Sequence, residues 1–212
     1  MNPTSYRIAA SLKEEILTGK FPPGTRIRQE DIAEKYGASR SPVREALRML
    51  DADGLVTLVA NTGAWISQLS LAECEEMYQI RERVEPLLLR SSIPNLTTEH
   101  LEKLHELVRQ LEESEDVEIF LQFDREFHLL SYTGASTALL GDMVQRLWNT
   151  TQHYRRAYSR LLAIEGFKSA HYEHHLLLAA ISRGDTEDAE RILYGHIRRT
   201  RLELANHPEV FA

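Results

Sequence analysis

The chain contains one cysteine, Cys74, so no disulfide can form within it and a disulfide-stapled scaffold is excluded. Cys74 has no basic neighbour to activate a thiolate and reads as a small helix residue. No apolar run approaches the roughly 20 residues that cross a bilayer, and the N-terminus lacks a signal-peptide pattern. These absences predict a cytoplasmic protein with no membrane partner. There is no Gly-rich phosphate loop, no Ser-His-Asp ordering, no internal repeat and no low-complexity segment. An excess of positive charge is missing too: 25 Lys and Arg face 32 Asp and Glu, for a net charge of −7. That balance excludes a uniformly basic nucleic-acid coat, but the charge is uneven. Residues 1–68 hold nine basic and eight acidic side chains, whereas the remainder holds sixteen and twenty-four. With 212 residues, 42% of them hydrophobic, the chain can build two small domains with real cores.

The most informative stretch runs from Ser39 to Leu55. Ser39 or Ser41 can cap a helix start, Pro42 suits a first turn, and Gly54 suits a helix end. Val43, Leu47 and Leu50 form an apolar stripe at helical spacing. Arg40, Arg44 and Arg48, four residues apart, fall on another face. Such a row is either a solvated charged surface or a face that lies in a DNA groove, where arginine forks two hydrogen bonds to guanine or clamps a phosphate.

The surroundings favour DNA. Glu30 to Tyr36 is predicted as a short helix with Ile32, Ala33 and Tyr36 inward, and Gly37 ends it before a tight turn into the arginine helix. Two short helices joined this way form a helix-turn-helix. Tyr6 to Thr18 precedes them as an amphipathic helix carrying Ile8, Leu12 and Ile16. Leu55–Val59 and Ala64–Ser67, around Ala60-Asn61-Thr62-Gly63, predict a hairpin placed as a wing. These elements, together with Pro23-Gly24-Thr25-Arg26, Asp31-Ile32-Ala33-Glu34, Ser39 to Leu47, Gly54-Leu55-Val56 and Gly63-Ala64, resemble the winged helix-turn-helix domain of the GntR family of bacterial transcription regulators. The resemblance implies that Arg40 and Arg44 contact DNA, helped by Ser41 and Gly63. Arg48 lies farther along the same row. Some family members carry a DNA-contacting arginine where this chain has Glu30, so that contact is absent here, and whether Arg28 replaces it as a DNA-binding residue is left open by the sequence.

From Leu71 onward the pattern is helical, with segments at about 71–92, 98–114, 117–132, 137–162, 168–183 and 186–206 separated by breaks at Pro94, Gly134, Gly166 and Gly184-Asp185. This predicts an antiparallel all-α bundle of about six helices, and a division into residues 1–68 and 69–212. Nine histidines are present. Asp124 and His128 share one helix face amid Phe120, Phe123 and Phe127. His174 lies among Leu177, Leu178 and Ile181, and His196 follows Ala189 and Ile192. One carboxylate and three imidazoles inside a bundle are either satisfied core residues or ligands of a divalent metal.

Ile80-Arg81 with Glu85, Phe123 to His128, Glu173-His174 with Ala180-Ile181, Gly184-Asp185 with Ala189, and His196 resemble the FCD ligand-binding domain of the FadR branch of GntR regulators. Six helices rather than seven look like its VanR-type subgroup. The resemblance implies that Asp124, His128, His174 and His196 ligate a divalent transition metal (zinc, nickel or manganese). His175 is the rival to His174, whose spacing to Ile181 fits the family pattern better. It also implies that Arg81 faces the cavity and pairs with an effector carboxylate. From the residues alone, Arg81 pairs equally well with Glu85, four positions on. Among His153, Tyr154, Arg155 and Arg156, the sequence does not say which lines a pocket.

The leading expectation is therefore a non-enzymatic transcription regulator, a repressor, that binds a palindromic operator in double-stranded DNA as a homodimer and answers to a small organic acid. A metal-dependent hydrolase with an accessory winged domain is the alternative. It lacks an evident general base beside the four ligands. A pure protein-interaction module is disfavoured by the arginine row.

Overall fold

In a computed structural model of the chain, residues 3–60, 62–163 and 167–211 are described. Asn61 of the expected wing turn and Gly166 of an expected helix break lie outside the described residues. The chain forms two compact units, residues 1–69 with 146–153, and residues 70–145 with 154–212.

The first unit follows the apolar periods of the sequence. α1 (Pro3–Leu17) buries Ile8, Leu12 and Ile16, and α3 (Arg40–Ala52) buries Val43, Ala46, Leu47 and Leu50 against it. Each fully buried leucine contributes about 1.5–3 kcal/mol. Between them α2 (Gln29–Tyr36) ends at Gly37, which takes φ 58, while Ala38 N–H donates to the Ala33 carbonyl at 2.9 Å. That left-handed cap disfavours a side chain and sets the turn into α3. Gly54, with φ 76, ends α3 in the same way, and Leu55 N–H donates to Leu50 O at 3.0 Å.

β2 (Val56–Val59) and β3 (Gly63–Ile66) form the expected hairpin. The structure adds a third strand, β1 (Arg26–Ile27), antiparallel to β3 with Arg26 opposite Trp65, giving the order β1-β3-β2. Two residues are too few to show strand alternation, so no sequence signal announced it.

Residues 146–153 also belong to this unit. Arg146 donates to Ala52 O at 2.8 Å, Asn149 to Asp53 O at 2.9 Å and Thr150 to Gly54 O at 3.0 Å. These bonds satisfy carbonyls that the end of α3 leaves open. A Cβ on Gly54 would stand 2.4 Å from Thr150 Oγ1, a second reason for glycine there.

The second unit is helical among the described residues. Its helices are α4 (Leu71–Ser92), α5 (Thr98–Glu113), α6 (Val117–Ser131), α7 (Ala138–Ala163, which supplies 146–153 to the first unit), α8 (Lys168–Ser182) and α9 (Thr186–Ala205). α4 packs along α9, α5 against α6 and α8, and α8 against α9. Side-chain caps set the starts: Ser70 with Glu73 and Thr97 with His100 form capping boxes, and Asp116 and Asp185 accept from first-turn N–H groups. Leu104, Leu107, Leu111, Phe127, Leu193 and Ile197 fill the interior. No described helix is long and apolar enough to cross a membrane.

Candidate metal centre and nucleic-acid interface

α6 places Asp124 and His128 one turn apart, both buried; α8 brings His174 and α9 brings His196 to the same place. Each of these four residues offers one ligand atom, and those atoms lie within 4.8 Å of one another. The three imidazole centroids are 5.1–5.3 Å apart. His175, one residue on, turns to the other side of α8, where it is exposed and 2.5 Å from Glu112. His174 is therefore the α8 histidine of the cluster.

Outer partners fix the rings. His174 Nδ1 lies 2.7 Å from the Ala170 carbonyl, which accepts only from an N–H, so the proton belongs on Nδ1 and Nε2 carries the lone pair. His174 Nε2 stands 3.1 Å from Asp124 Oδ1, and His128 Nε2 is 3.7 Å from the same oxygen. Two acceptors, a bare imidazole nitrogen and a carboxylate oxygen, thus face each other, an arrangement whose repulsion a cation would offset. His196 Nδ1 is 2.8 Å from Glu173 Oε2, and Glu173 also holds Arg199. A carboxylate or carbonyl behind a ligating histidine is the usual way its tautomer is set.

Burial pushes all three imidazoles below their ordinary range. For His128 the positions of His196 and His174 add to it, for His174 that of His196, and for His196, lowered to about 4, the charges of Arg155 and Arg81. Neutral imidazoles are the form that ligates. One carboxylate and three neutral histidines fit a divalent transition metal.

A cavity of ≈ 20 Å³, room for about one water, lies beside the cluster among Phe120, Asp124, Arg155, Glu173 and His196. Arg155 lines it and pairs with Asp124. Its neighbours do not. Arg156 forks onto Glu118 at 2.8–3.0 Å, Tyr154 stacks on Phe211, and His153 borders a separate small cavity of the first unit. Arg81 is buried, 2.5 Å from Glu85, and lies over the Tyr78 ring; Glu85 also accepts from Tyr132 at 2.8 Å. The Arg81–Glu85 pair expected from four-residue spacing is thus present. The sequence reading missed Arg155 as the partner of Asp124 and Glu173 as the partner of His196. The only hint of the latter was a carboxylate next to His174.

In the first unit, Arg28, Arg40, Ser41, Arg44 and Arg48 are all exposed. Arg28 stands at the N-cap position of α2 without a side-chain cap bond, and Arg40 opens α3 with its guanidinium 3.2 Å from Glu30. Gly63 opens β3 next to Arg26, which donates to Thr62 O at 2.8 Å and lies over Trp65.

Comparison with known proteins agrees with both units. Residues 4–66 match the model for bacterial regulatory proteins of the gntR family, and residues 76–199 match the FCD domain. The chain is 29% identical over 204 residues to YdhC, an HTH-type transcriptional regulator of Bacillus subtilis strain 168, covering 92% of this chain and 88% of that protein. It is 29% identical over 196 residues to GlaR, an HTH-type transcriptional repressor of Escherichia coli K12, covering 88% and 89%. In fold it resembles the solved structure of E. coli McbR/YncC, with a TM-score of 0.84 at 24% identity over 97% of this chain and 99% of that one. A winged helix-turn-helix that matches one model, followed by a helical unit that matches the other, places the chain in the GntR family of transcription regulators, in the FadR-like branch that carries an FCD domain.

Proposed function

We propose that this regulator is a cytoplasmic repressor that binds a palindromic operator and is released by a small carboxylic acid held beside a metal in the FCD unit. The observation that carries the sensor half is the Asp124–His128–His174–His196 cluster with its fixed tautomers. Those four residues would hold the ion, which when bound supplies open coordination positions to a carboxylate or hydroxy acid. Arg155, lining the adjoining cavity, is placed to attract an acid. Arg81, already carrying Glu85, is the second arginine proposed at the effector site. The cavity is far smaller than a typical ligand pocket of roughly 300 Å³ or more, so an organic acid enters with side-chain rearrangement. Effector binding then favours one state of the protein over another.

On the DNA side, Arg40, Ser41 and Arg44 are proposed to read base edges from the start of α3. Arg28 and Arg48 are proposed to meet phosphates, and Gly63 to let the wing approach the backbone. The runner-up hydrolase reading loses its ground, because the family is one of DNA-binding regulators.

A duplex selected from a random library by the purified protein supplies the probe. Its affinity is measured by fluorescence anisotropy with and without a panel of small mono-, di- and hydroxy-carboxylates. A shift of about 5- to 150-fold by one acid is expected, and Arg155→Ala or Arg81→Ala should reduce that shift more than it changes basal affinity. An acid that demonstrably binds the protein yet leaves duplex affinity unchanged would sink the sensor reading.

A further inference from the structure

Among the described residues, Phe167 is the only one other than glycine with a positive φ. At the N-cap position of α8 it takes φ 56 and ψ 13. A bulky side chain in this left-handed region is strained, and it persists only where its surroundings hold it. Here they do. Phe167 N–H donates to Leu162 O at 3.1 Å, and Phe167 O accepts from His171 N–H at 3.0 Å. The Phe167 ring is 2% exposed and stacks on Phe120, with centroids 4.2 Å and planes 15° apart. Phe120 in turn lines the ≈ 20 Å³ cavity beside the candidate metal cluster, with Leu162 and Ala170 from either side of Phe167 in the sequence. The lining therefore has two chemistries: these apolar groups, and the polar Asp124, Arg155 and His196.

We propose that Phe167 is a displaceable plug of the effector cavity, and that the acid it admits is a flat aromatic carboxylate, whose ring replaces the Phe167 ring on Phe120 while its carboxylate faces Arg155. The inference rests on the sensor reading above and names its ligand class. A cavity with room for about one water holds no organic acid, so a side chain must leave. The polar lining groups are held by ion pairs: Arg155 by Asp124, and Glu173 by Arg199 and His196. Phe120 and Leu162 stand within the regular helices α6 and α7. Phe167, by contrast, has a backbone that relaxes when its ring departs, so relief of strain offsets part of the cost of unstacking. A flat ring entering behind it restores the stacked contact on Phe120. A saturated ring of the same size, or an open chain, buries similar area without restoring the stack. Closed and open states then lie near enough in energy for a ligand to choose between them.

Isothermal titration calorimetry of the full chain in zinc-containing buffer tests it, with benzoate, cyclohexanecarboxylate and hexanoate as probes. Benzoate is expected to bind the wild type about fivefold tighter than either saturated acid. Phe167→Ala removes the plug and should bind benzoate about fivefold tighter than the wild type does. Phe167→Gly should melt at a higher temperature than Phe167→Ala, since both lack the ring and only alanine keeps a strained φ. Should both variants fail to fold, the comparison of the three acids on the wild type still decides. A wild type that binds no benzoate, or binds it no better than cyclohexanecarboxylate, overturns the plug. So does a Phe167→Ala variant with unchanged benzoate affinity, or a Phe167→Gly variant that melts no higher than Phe167→Ala. Duplex affinity is read on the same samples. Benzoate that binds as expected yet leaves duplex affinity unchanged keeps the plug and removes the sensor reading. A saturated acid that shifts duplex affinity while benzoate fails to bind does the reverse.

Discussion

Arg40, Arg44 and Arg48 share one row but not one environment. Arg40 stands 3.2 Å from Glu30, an exposed pair worth well under about 1 kcal/mol to the fold. In the proposed docking its weight would fall on DNA instead, because Glu30 would hold a negative charge where phosphates arrive. Glu30→Gln is therefore expected to tighten non-specific DNA binding. Arg44→Ala is expected to cost about 1–3 kcal/mol of specific binding and to relax base choice, and Arg48→Ala less. Anisotropy titrations against the selected duplex and a scrambled one separate these effects. Unchanged affinity in both Arg40→Ala and Arg44→Ala would reject the docking. Cys74 is buried, and burial pushes its thiol up to about 12. At pH 8 it is then almost wholly protonated, and only the thiolate attacks. A thiol reagent should label it slowly in the native protein and at once after denaturation; fast native labelling would contradict that burial.

Helices here start and stop where side chains offer an alternative partner for the open backbone groups. Ser70 is the plainest case: its hydroxyl accepts from Glu73 N–H at 3.3 Å while the Glu73 carboxylate accepts from Ser70 N–H at 2.8 Å. That carboxylate is held below its usual range first by the Ser70 N–H and then by the Ser70 hydroxyl, which also donates to it, at 2.7 Å. Ser70→Ala is expected to cost about 1 kcal/mol, read as a lower urea midpoint with an unchanged slope. No change would mean that water caps α4 equally well. The sequence placed this start at about residue 71 by its apolar period alone, without the Ser70-x-x-Glu73 box. It marked the end of α3 only in part. Gly54 was legible as a terminator, whereas its carbonyl bond from Thr150, ninety-six residues away, was not.

At the scale of the molecule, gathering the buried Asp124, His128 and His174 with the half-buried His196 is a cost unless something compensates them. In the proposed reading a bound ion would do so, and would tie α6, α8 and α9 together. Purified protein is expected to carry close to one divalent ion per chain. Chelation should lower its melting temperature, and added zinc, nickel or manganese should restore it. His128→Ala/His196→Ala should abolish both the metal content by elemental analysis and the response to chelator. Metal-free wild type that melts normally and gains nothing from any of these ions would refute the metal reading.

The sequence by itself determined the elements. Apolar residues every three to four positions, punctuated by Ser, Thr, Asp, Gly and Pro, placed α4 at 71–92 and the other helices within a few residues of where they lie, because those signals act within one or two turns. It also determined that Asp124 and His128 share a face, since a four-residue step is one turn. Tertiary structure alone decided what meets across long separations. Only packing of α8 against α9 put His174 and His196 beside that pair, set Glu173 behind His196, and left His175 outside. Only packing chose Arg155 over Arg156 for the cavity, since two adjacent helical residues are equally plausible until a neighbour fixes the helix rotation about its axis. β1 was decided in the same way. A two-residue strand has no period of its own, and it exists because β3 offers Arg26 and Ile27 a row of backbone partners.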